Sequence, residues 1–587
     1  METKMVNIKI NNVDVQVPAG STILEAARSV GIDIPTLCYL KDINAIGACR
    51  LCVVEVKGAR SLVTACVYPV NEGMEVFTNT PAVRKSRKTT LELIISNHRR
   101  ECLTCSRSQN CELQKFAKDY GIEDWKFASD DMKADIEDSS PHLVRDNSKC
   151  ILCRRCVAAC KNMQKISVIG PIDRGFDTHI GCAFDEKLAN VACIDCGQCI
   201  NVCPTGALKE KSSLDEVRAA IADPEKHVVV GTAPSVRAAL GEDFGMAIGT
   251  NVEGKMVAAL RRLGFNGVFD VDTAADVTIM EEGTELLHRL ENGGALPLIT
   301  SCSPGWIRFC EYFYPEFIPN LSSCKSPQQM FGALMKTYYA EKMGIPAEKI
   351  YVVTVMPCTA KKFEIGREDQ QAVKGLDDVD ATITTRELAE FIKDSGLRFT
   401  ELPDETFDPA FGIASGAGHI FGASGGVMEA ALRTVSEVVT GKALEKLDFH
   451  EVRGIEGVKE AEYDLNGTVV KVAVVSGTAN ARKLLDAIKA GEKAYHFVEI
   501  MACPGGCVNG GGQPIQPASV RNFVDLRAER AKALYSEDGS MALRKSHENP
   551  IVKELYDEYL EKPGSHKAHG ILHTTYTARK SIFRDAN

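Results

Sequence analysis

The 587-residue chain lacks several features that would assign it to common classes of protein. No stretch approaches the roughly 18 uninterrupted apolar residues of a membrane-spanning helix, so no membrane span is predicted. The first residues show no apolar segment followed by a cleavage site, which predicts a cytoplasmic rather than a secreted protein. The formal charge of -10 gives no basic excess, and this argues against nucleic acid as a partner.

Cysteine, by contrast, is abundant and ordered. The chain has 22 cysteines, most of them in four groups that end at Cys203. Without a secretory signal, cysteines at this density indicate a reducing compartment and metal ligation rather than disulphides. Four more follow apolar runs much further along: Cys302, Cys358, Cys503 and Cys507. The sequence therefore predicts a string of iron-sulphur clusters and a second redox site beyond it.

The first cysteine group follows a strand-rich segment. Alternating apolar residues on both sides of Asn11-Asn12 predict a β-hairpin, and a short helix is expected from Thr22. A long gap, a CxxC and a distant fourth ligand are the plant-type ferredoxin spacing, formed here by Cys38, Cys49, Cys52 and Cys66. A zinc site is the alternative. The strand-first, ubiquitin-like pattern favours a 2Fe-2S domain over residues 1–80.

The second group combines one imidazole with three thiols: His98, Cys102, Cys105 and Cys111. Such a set could hold zinc or a 4Fe-4S cluster. Its position between two iron-sulphur modules favours a 4Fe-4S domain over residues 81–125.

The third and fourth groups repeat the bacterial ferredoxin motif, in which the fourth cysteine of each run ligates the other cluster. One predicted 4Fe-4S cluster is held by Cys150, Cys153, Cys156 and Cys203. The other is held by Cys160, Cys193, Cys196 and Cys199. Residues 140–213 are therefore expected to form a ferredoxin-like domain. The predicted relay contains one 2Fe-2S and three 4Fe-4S clusters.

Residues 214–587 alternate strand-like and helix-like segments, which predicts an α/β domain of two lobes with the site between them. Three apolar runs each end shortly before a cysteine: Leu296–Ile299, Val352–Met356 and Phe497–Met501. Short apolar runs of this kind are typical of buried parallel strands, which present residues at their carboxyl ends. Thiols placed there would form a dry site suited to a soft metal centre.

Three motifs of this region resemble the signatures of the FeFe-hydrogenases. They are Thr300-Ser-Cys-Ser-Pro-Gly-Trp306, Met356-Pro-Cys-Thr-Ala-Lys-Lys-Phe-Glu364 and Glu499-Ile-Met-Ala-Cys-Pro-Gly-Gly-Cys507. The order of the N-terminal modules also resembles the large iron-sulphur subunit of respiratory complex I, but the three motifs favour the long-form hydrogenases. The resemblance covers nearly the whole chain and implies reversible formation of H2 from protons and electrons.

The resemblance further implies an H-cluster, in which a 4Fe-4S subcluster shares the Cys507 thiolate with a diiron unit carrying CO, cyanide and an azadithiolate. Cys358 and Cys503 would be further ligands. Lys361 would place its cation beside a cyanide, because an unpaired charge is unfavourable in a dry pocket. The pocket would be lined by Pro234, Ser235, Gln328, Met356 and Met501. For the two methionines, ordinary core packing is the alternative.

The first motif departs from the family pattern of two adjacent cysteines, a proton relay followed by a subcluster ligand. Here the pair is Cys302-Ser303, so strict alignment places serine at the ligand position. A hydroxyl loses its proton far less readily than a thiol. The preferred arrangement therefore exchanges the roles, with Cys302 as ligand and Ser303 or a water as relay. The other arrangement keeps Cys302 as relay and leaves a serine-ligated or three-thiolate cluster.

The same resemblance implies a proton route through Glu282, Ser322 and Glu285, with Arg289 at the surface end. Glu282 and Glu285 are three residues apart on a predicted helix and therefore share one face. An ordinary acidic helix face is the alternative.

The implied partners are ferredoxin, maturation proteins that assemble the diiron unit, and flavin- and NAD-binding subunits if the chain belongs to an electron-bifurcating complex. The sequence shows no convincing Gly-rich dinucleotide fingerprint, so NADH would require another subunit. A stand-alone enzyme linked to ferredoxin is the alternative assembly, and a non-catalytic or H2-sensing redox protein is the alternative class. The remaining cysteines, Cys182, Cys310 and Cys324, are expected to be buried small hydrophobes.

Overall fold

The computed structural model describes residues 4–124, 126–127, 135–444, 446–465 and 467–581, in which the strands form five sheets. Three of these sheets belong to the N-terminal iron-sulphur modules and two to the C-terminal region. No helix within the described ranges is long and apolar enough to cross a membrane.

The first module is a five-stranded sheet packed against one helix. Its strands are β1 (Met5–Ile10), β2 (Val13–Pro18), β3 (Val53–Val56), β4 (Val63–Thr64) and β5 (Glu75–Phe77), in the order β2-β1-β5-β3-β4. β1 and β2 pair antiparallel across Asn11 and Asn12, both of which adopt the positive φ that asparagine tolerates. Helix α1 (Ile23–Ser29) begins after Thr22, whose hydroxyl accepts a hydrogen bond from the Glu25 N–H. The predicted hairpin and helix are confirmed.

The next two modules are small and rich in loops. Helices α2 (Pro81–Ser96) and α3 (Glu112–Asp119) flank the loop that carries the second cysteine group. The ferredoxin-like module contains a sheet of β6 (Ile136–Glu137), β7 (Leu143–Asp146) and β10 (Leu208–Glu210), and a hairpin of β8 (Gly170–Ile172) and β9 (His179–Gly181). Its helices are α4 (Arg155–Ala158) and α5 (Gln198–Asn201).

The C-terminal region contains two four-stranded sheets. Its strands are β11 (His227–Thr232), β12 (Gly267–Asp270), β13 (Leu298–Ile299), β14 (Ile350–Met356), β15 (Ala381–Thr384), β16 (Val458–Leu465), β17 (Thr468–Ser476) and β18 (Phe497–Met501). The first sheet is parallel, in the order β12-β11-β14-β15. In the second, β13, β18 and β17 are parallel and β16 pairs antiparallel with β17. The predicted α/β domain of two lobes is confirmed.

Helices cover both sheets. They are α6 (Leu214–Ala222), α7 (Pro234–Arg237), α8 (Glu253–Leu263), α9 (Asp272–Asn292), α10 (Pro304–Phe313), α11 (Pro327–Leu334), α12 (Ala340–Met343), α13 (Lys361–Glu364), α14 (Thr385–Asp394), α15 (Gly416–His419), α16 (Gly426–Thr440), α17 (Thr478–Lys489), α18 (Ala518–Arg521), α19 (Leu526–Ser540), α20 (Pro550–Leu555) and α21 (His566–Leu572). Helix α9 carries Glu282 and Glu285 and ends at Gly293, whose left-handed conformation stops the helix.

The three apolar runs singled out in the sequence form β13, β14 and β18, and all three strands lie in parallel pairings. The first run is shorter as a strand than predicted. Leu296 is 37% exposed, and Pro297 has no N–H to donate to a neighbouring strand. Cys182, Cys310 and Cys324 are fully buried among apolar side chains, as expected.

Candidate active site

The cysteines of the first module converge in the loops beside its sheet. Cys52 Sγ lies 3.3 Å from Cys66 Sγ. Hydrogen bonds from Cys49 and Cys66, and then from the N–H groups of Cys49 and Ala48, lower the pKa of Cys38. Thiolates that accept backbone N–H groups in this way are typical of iron-sulphur sites. The four thiols fit the predicted 2Fe-2S cluster.

His98 offers a free ring nitrogen in the second module. Burial, reinforced by the nearby Lys149 cation, lowers the pKa of His98 to about 4, so its imidazole is neutral at pH 7. Within the described ranges its buried Nδ1 has no hydrogen-bond partner. A neutral imidazole with an open nitrogen is the form that ligates metals. Cys105 lies against Gly206, where a side chain would leave no room for the sulphur.

Two separate voids in the ferredoxin-like module are each lined by four cysteines. One contains Cys150, Cys153, Cys156 and Cys203, and the other contains Cys160, Cys193, Cys196 and Cys199. This is the cross-ligated grouping expected for the duplicated motif. Arg154 and Gly197, each inside a CxxC, take the left-handed conformation that turns the chain around the void.

The thiols of these voids are buried, and burial outweighs the charge of nearby arginines such as Arg145. Burial raises the pKa of Cys150 to about 11 and that of Cys199 to about 12. Thiolates at these positions are stable only when a bound cationic centre compensates them. The donor set therefore fits the two 4Fe-4S clusters that the motif predicts.

A cavity lies where strands of the two large sheets end, between Met356 at the end of β14 and Met501 at the end of β18. The lining includes the five predicted pocket residues, Pro234, Ser235, Gln328, Met356 and Met501, together with Cys302, Cys358, Cys507 and Lys361. Cys503, predicted as a further ligand, is not part of the lining. Sequence reasoning missed other lining residues, among them Val271, Asp272, Pro327 and Phe421. These have no motif of their own and reach the cavity through the fold.

Cys358, Cys503 and Cys507 lie close enough to influence one another's ionisation. Burial and then the neighbouring Cys358 raise the pKa of Cys507 to about 12. Burial, followed by Cys358 and Cys507, raises the pKa of Cys503. Two thiols in the cavity wall, Cys358 and Cys507, and the neighbouring thiol of Cys503 fit the ligand set of the H-cluster.

Lys361 supplies a cation at the cavity wall. Its Nζ donates to Glu364 Oε2 at 2.7 Å, to Ser326 Oγ at 2.8 Å and to the Cys302 carbonyl at 3.3 Å. Gln328 Nε2 donates to the same Glu364 oxygen at 3.3 Å. The ammonium group is therefore held at the cavity wall by three acceptors, one of which is the carboxylate of Glu364.

Cys302 and Ser303 face different parts of the site. Cys302 lines the cavity beside the two methionines, and burial followed by the charge of Glu282 and the Cys507 thiol raises the pKa of Cys302. Ser303 Oγ instead accepts the N–H of Ala502, the residue directly before Cys503, at 3.2 Å. The hydroxyl is thus turned towards the segment that carries Cys503, and the thiol towards Glu282.

The side chains predicted for the proton route are joined by hydrogen bonds. Burial, partly offset by a hydrogen bond with Ser322, raises the pKa of Glu282 to about 8. Ser322 Oγ donates to Glu285 Oε2 at 3.1 Å, and Arg289 Nη2 donates to Glu285 Oε1 at 2.5 Å. The structure therefore places the residues of the predicted proton route in contact.

Gln198 connects the ferredoxin-like module to the active-site cavity. Its Nε2 donates to Cys503 Sγ at 3.2 Å and to the Asn509 carbonyl at 2.7 Å. The sequence marks the cysteines on either side of Gln198 but gives no signal for the residue between them. Three glycines make this approach possible: Gly510, Gly511 and Gly512 pack directly on Pro357, on Cys196 with Gly197, and on Thr384.

Fold and site together define an iron-sulphur oxidoreductase with its own electron relay and a buried thiol-lined reaction cavity. Residues 226–511 match the C-terminal domain of the iron-only hydrogenase large subunit, and residues 524–579 match the iron hydrogenase small subunit. Residues 3–81 match a 2Fe-2S cluster-binding domain. Residues 87–125 match the iron-sulphur binding region of NADH-ubiquinone oxidoreductase G, and residues 140–209 match the ferredoxin-like domain of NADH-quinone oxidoreductase subunit 3.

Two relatives match the chain over almost its whole length, and a solved structure matches a large part of it. The chain is 49% identical to the NADP-reducing hydrogenase subunit HndD of Solidesulfovibrio fructosivorans, over 98% of this chain and 100% of that protein. It is 46% identical to iron hydrogenase 1 of Clostridium pasteurianum, over 97% and 100%. A solved variant of the FeFe-hydrogenase HydA1 from Chlamydomonas reinhardtii superposes with a TM-score of 0.56 at 43% identity, covering 63% of this chain and 99% of that one.

The chain therefore belongs to the FeFe-hydrogenases. It is a hydrogenase in which 2Fe-2S and 4Fe-4S domains precede an H-cluster domain, as the sequence predicts.

Proposed function

We propose that this hydrogenase moves protons between its cavity and the surface through Cys302, Glu282, Ser322 and Glu285. When bound, the H-cluster supplies the site at which protons and electrons combine as H2. The proposal depends on one observation, the series of hydrogen bonds from Glu282 through Ser322 to Glu285, with the Cys302 thiol of the cavity close enough to Glu282 for their charges to interact. The raised pKa of Glu282 suits its role, because a carboxyl that titrates at about 8 can give and take protons near neutral pH.

Cys302 is the proton relay in this proposal, and Ser303 is the residue on the subcluster side. The charge interaction of Cys302 with Glu282, and the hydrogen bond of Ser303 with the segment before Cys503, support this arrangement over the exchange of roles that the sequence favours. Cys358, Cys503 and Cys507 would then hold the subcluster, and Ser303, whose hydroxyl lies beside the segment of Cys503, would be the oxygen donor on that side. A hydroxyl there is a weaker donor than a thiolate and would alter the cluster potential.

Two substitutions separate the arrangements. Cys302→Ala removes the relay, so turnover should fall by about a hundredfold or more, while the electron paramagnetic resonance spectrum of the subcluster stays unchanged. Ser303→Cys adds a thiol at the ligand position, so it should change that spectrum and the subcluster potential. If Cys302→Ala destroys the subcluster signal and Ser303→Cys leaves it untouched, the roles are the reverse of those proposed.

We further propose that the chain is the catalytic subunit of a cytoplasmic, NAD(P)-linked complex that also exchanges electrons with ferredoxin. The full-length similarity to a subunit of an NADP-reducing hydrogenase supports this assembly, as do the N-terminal regions related to NADH oxidoreductases. The similarity to iron hydrogenase 1 of Clostridium pasteurianum keeps a stand-alone ferredoxin-linked enzyme as the second candidate. Separate maturation proteins would install the diiron unit. The relay would hold one 2Fe-2S and three 4Fe-4S clusters.

Purification from the native source, followed by mass measurement, distinguishes the two assemblies. A complex should contain flavin-binding subunits, and the isolated chain should reduce NAD(P)+ with H2 only after those subunits are added back. A native mass of 63.8 kDa, that of the single chain, together with full turnover on ferredoxin would favour the stand-alone enzyme.

A further inference from the structure

The outer end of the proposed proton route reaches a carboxylate whose basic neighbour cannot release a proton. Arg289 donates to Glu285 and to the carbonyls of Ala295, Pro319 and Leu321. An arginine guanidinium remains protonated in proteins. Arg289 therefore fixes the position of Glu285 but cannot take a proton from it and pass the proton on.

Ser323 connects Glu285 to the imidazole of His573, a group that can accept a proton and pass it on. Its Oγ lies 3.2 Å from Glu285 Oε2 and 2.8 Å from His573 Nδ1. The Ser323 N–H donates to the same carboxylate oxygen at 3.0 Å. A backbone hydrogen bond from Thr574 to the Ser323 carbonyl, at 2.8 Å, holds the histidine segment against this loop. The serine hydroxyl thus bridges a carboxylate and an imidazole.

The other nitrogen of His573 faces a buried carboxylate. His573 Nε2 lies 3.1 Å from Glu281 Oε2, and the second oxygen of Glu281 accepts the Tyr556 hydroxyl at 2.6 Å. The Glu281 side chain is fully buried, so its charge acts strongly on the imidazole. The titratable groups around His573 are Glu281 and Glu285 on α9, Cys324 beside Ser323, Tyr556 through Glu281, and the stacked ring of His569.

We propose that His573 is a further proton-carrying residue of this hydrogenase and that it gives Glu285 a titratable exit through Ser323. In the outward step, the Glu285 carboxyl gives its proton to Ser323 Oγ while the Ser323 hydroxyl gives its own proton to His573 Nδ1. An O–H bond breaks at Glu285, an N–H bond forms at His573, and the serine is unchanged. The products are a carboxylate at Glu285 and an imidazolium stabilised by Glu281.

Two features suit His573 to this place in the route. The two ring nitrogens of an imidazole can each bind or release a proton, so His573 can accept a proton at Nδ1 and give it up again. The ring of His573 also stacks on that of His569, which is exposed to solvent, so the route continues towards the surface. The inference rests on the proposed inner route through Glu282 and Ser322, and inward transfer follows the same steps in reverse.

His573→Asn in the full-length, metal-loaded enzyme tests the inference. Asparagine keeps a polar group near Ser323, but its amide does not bind and release protons as an imidazole does. We expect turnover to fall by about tenfold and the solvent deuterium isotope effect on turnover to increase. His566→Asn is the matched control, because His566 lies exposed at the start of α21, the helix that ends directly before His573, and it should change neither quantity.

Ser323→Ala separates proton transfer from a purely structural role of His573. It removes the bridging hydroxyl but leaves the contact between His573 and Glu281 in place. The proposal requires a larger isotope effect in both variants, whereas a structural role requires only a lower melting temperature in His573→Asn. Wild-type isotope effects in both variants would overturn the inference. Glu282→Gln tests the inner route separately. Slow turnover in Glu282→Gln together with wild-type turnover in His573→Asn would exclude His573 but leave the inner route intact.

Discussion

The ferredoxin-like module and the catalytic cavity gather their cysteines in opposite ways. In the module, three ligands of each void come from one short loop, such as Cys150 to Cys156, and a helix begins inside that loop. In the cavity, Cys302, Cys358 and Cys507 follow three different strands that belong to two sheets. The first kind of site depends on local chain conformation, and the second exists only when both lobes have folded around it.

The largest effect should come from removing a cavity ligand. Cys358→Ser should reduce turnover by about a thousandfold or more, because a hydroxyl loses its proton far less readily than a thiol and is a poor ligand for iron. The N-terminal cluster signals should persist, since those sites form from their own loops. Cys310→Ser is the control, because Cys310 is a buried cysteine that packs in the core of the second lobe, away from the cavity. Loss of the N-terminal signals together with turnover would contradict the independence of the two regions.

A smaller effect should follow from interrupting the proton route. Glu282→Gln keeps the shape of the side chain but removes its exchangeable charge, so turnover should fall by about a hundredfold. The spectra of the H-cluster and of the relay clusters should stay unchanged, because Glu282 is not predicted to be a ligand of any of them. Glu291→Gln, exposed near the end of the same helix, is the matched control. Unchanged turnover in Glu282→Gln would remove this residue from the route.

Gln198 is the contact at which the two regions meet, and its loss should have a moderate effect. Gln198→Leu removes the hydrogen bond to Cys503 Sγ. A donor on a ligand sulphur stabilises the reduced cluster, so the subcluster potential should become more negative by tens of millivolts. Redox titration followed by electron paramagnetic resonance measures the shift.

Asn201→Ala is the control for that measurement. Asn201 also joins the two regions, but its Nδ2 donates to the Gly510 carbonyl rather than to a sulphur. If both variants shift the potential equally, the effect comes from packing between the regions and not from the hydrogen bond to Cys503.

The smallest effect concerns stability and pH. Burial opposes the charge on His419, but its hydrogen bond to Asp272 prevails and raises the pKa of His419 to about 9. A raised histidine pKa stabilises the fold below the ordinary value near 6.5, and this contribution is lost as pH rises through about 9. The melting temperature should therefore decline over this interval.

The decline should be confined to the catalytic region, where His419 contacts Asp272 at the cavity wall. His419→Gln should abolish this decline. Below pH 6.5 it should also lower the melting temperature, because it removes at most a few kcal/mol from the free energy of unfolding. A wild-type stability that is constant from pH 6 to 10 would show that the ion pair contributes nothing.

The two regions also differ in how much of them can be predicted from sequence. The cysteines of the N-terminal modules can be grouped from spacing alone, because a loop of fixed length determines which sulphurs meet. The orientation of Cys302 and Ser303 cannot be predicted from the sequence, because adjacent side chains point to opposite sides and only the start of α10 determines which side each takes. The apolar runs before the motifs predict the strands well, since burial on both faces leaves little choice of structure.

Contacts between distant segments are beyond such reasoning. Ser323 and His573 are 250 residues apart, and Gln198 is 305 residues from Cys503. Neither His573 nor Gln198 stands in a pattern that distinguishes it from a surface histidine or an ordinary loop glutamine. Their roles follow from folding of the C-terminal segment beside α9 and from docking of the ferredoxin-like module on the third motif.

The glycine run Gly510–Gly512 has a consequence for the speed of electron flow. Electrons cross between clusters by tunnelling, and the rate of tunnelling falls steeply with each additional layer of atoms. A methyl group on Gly511 would overlap the Cys196 carbonyl and force the two regions apart. Gly511 therefore keeps the separation of the two regions minimal at this point, and a short separation favours fast electron transfer between their clusters.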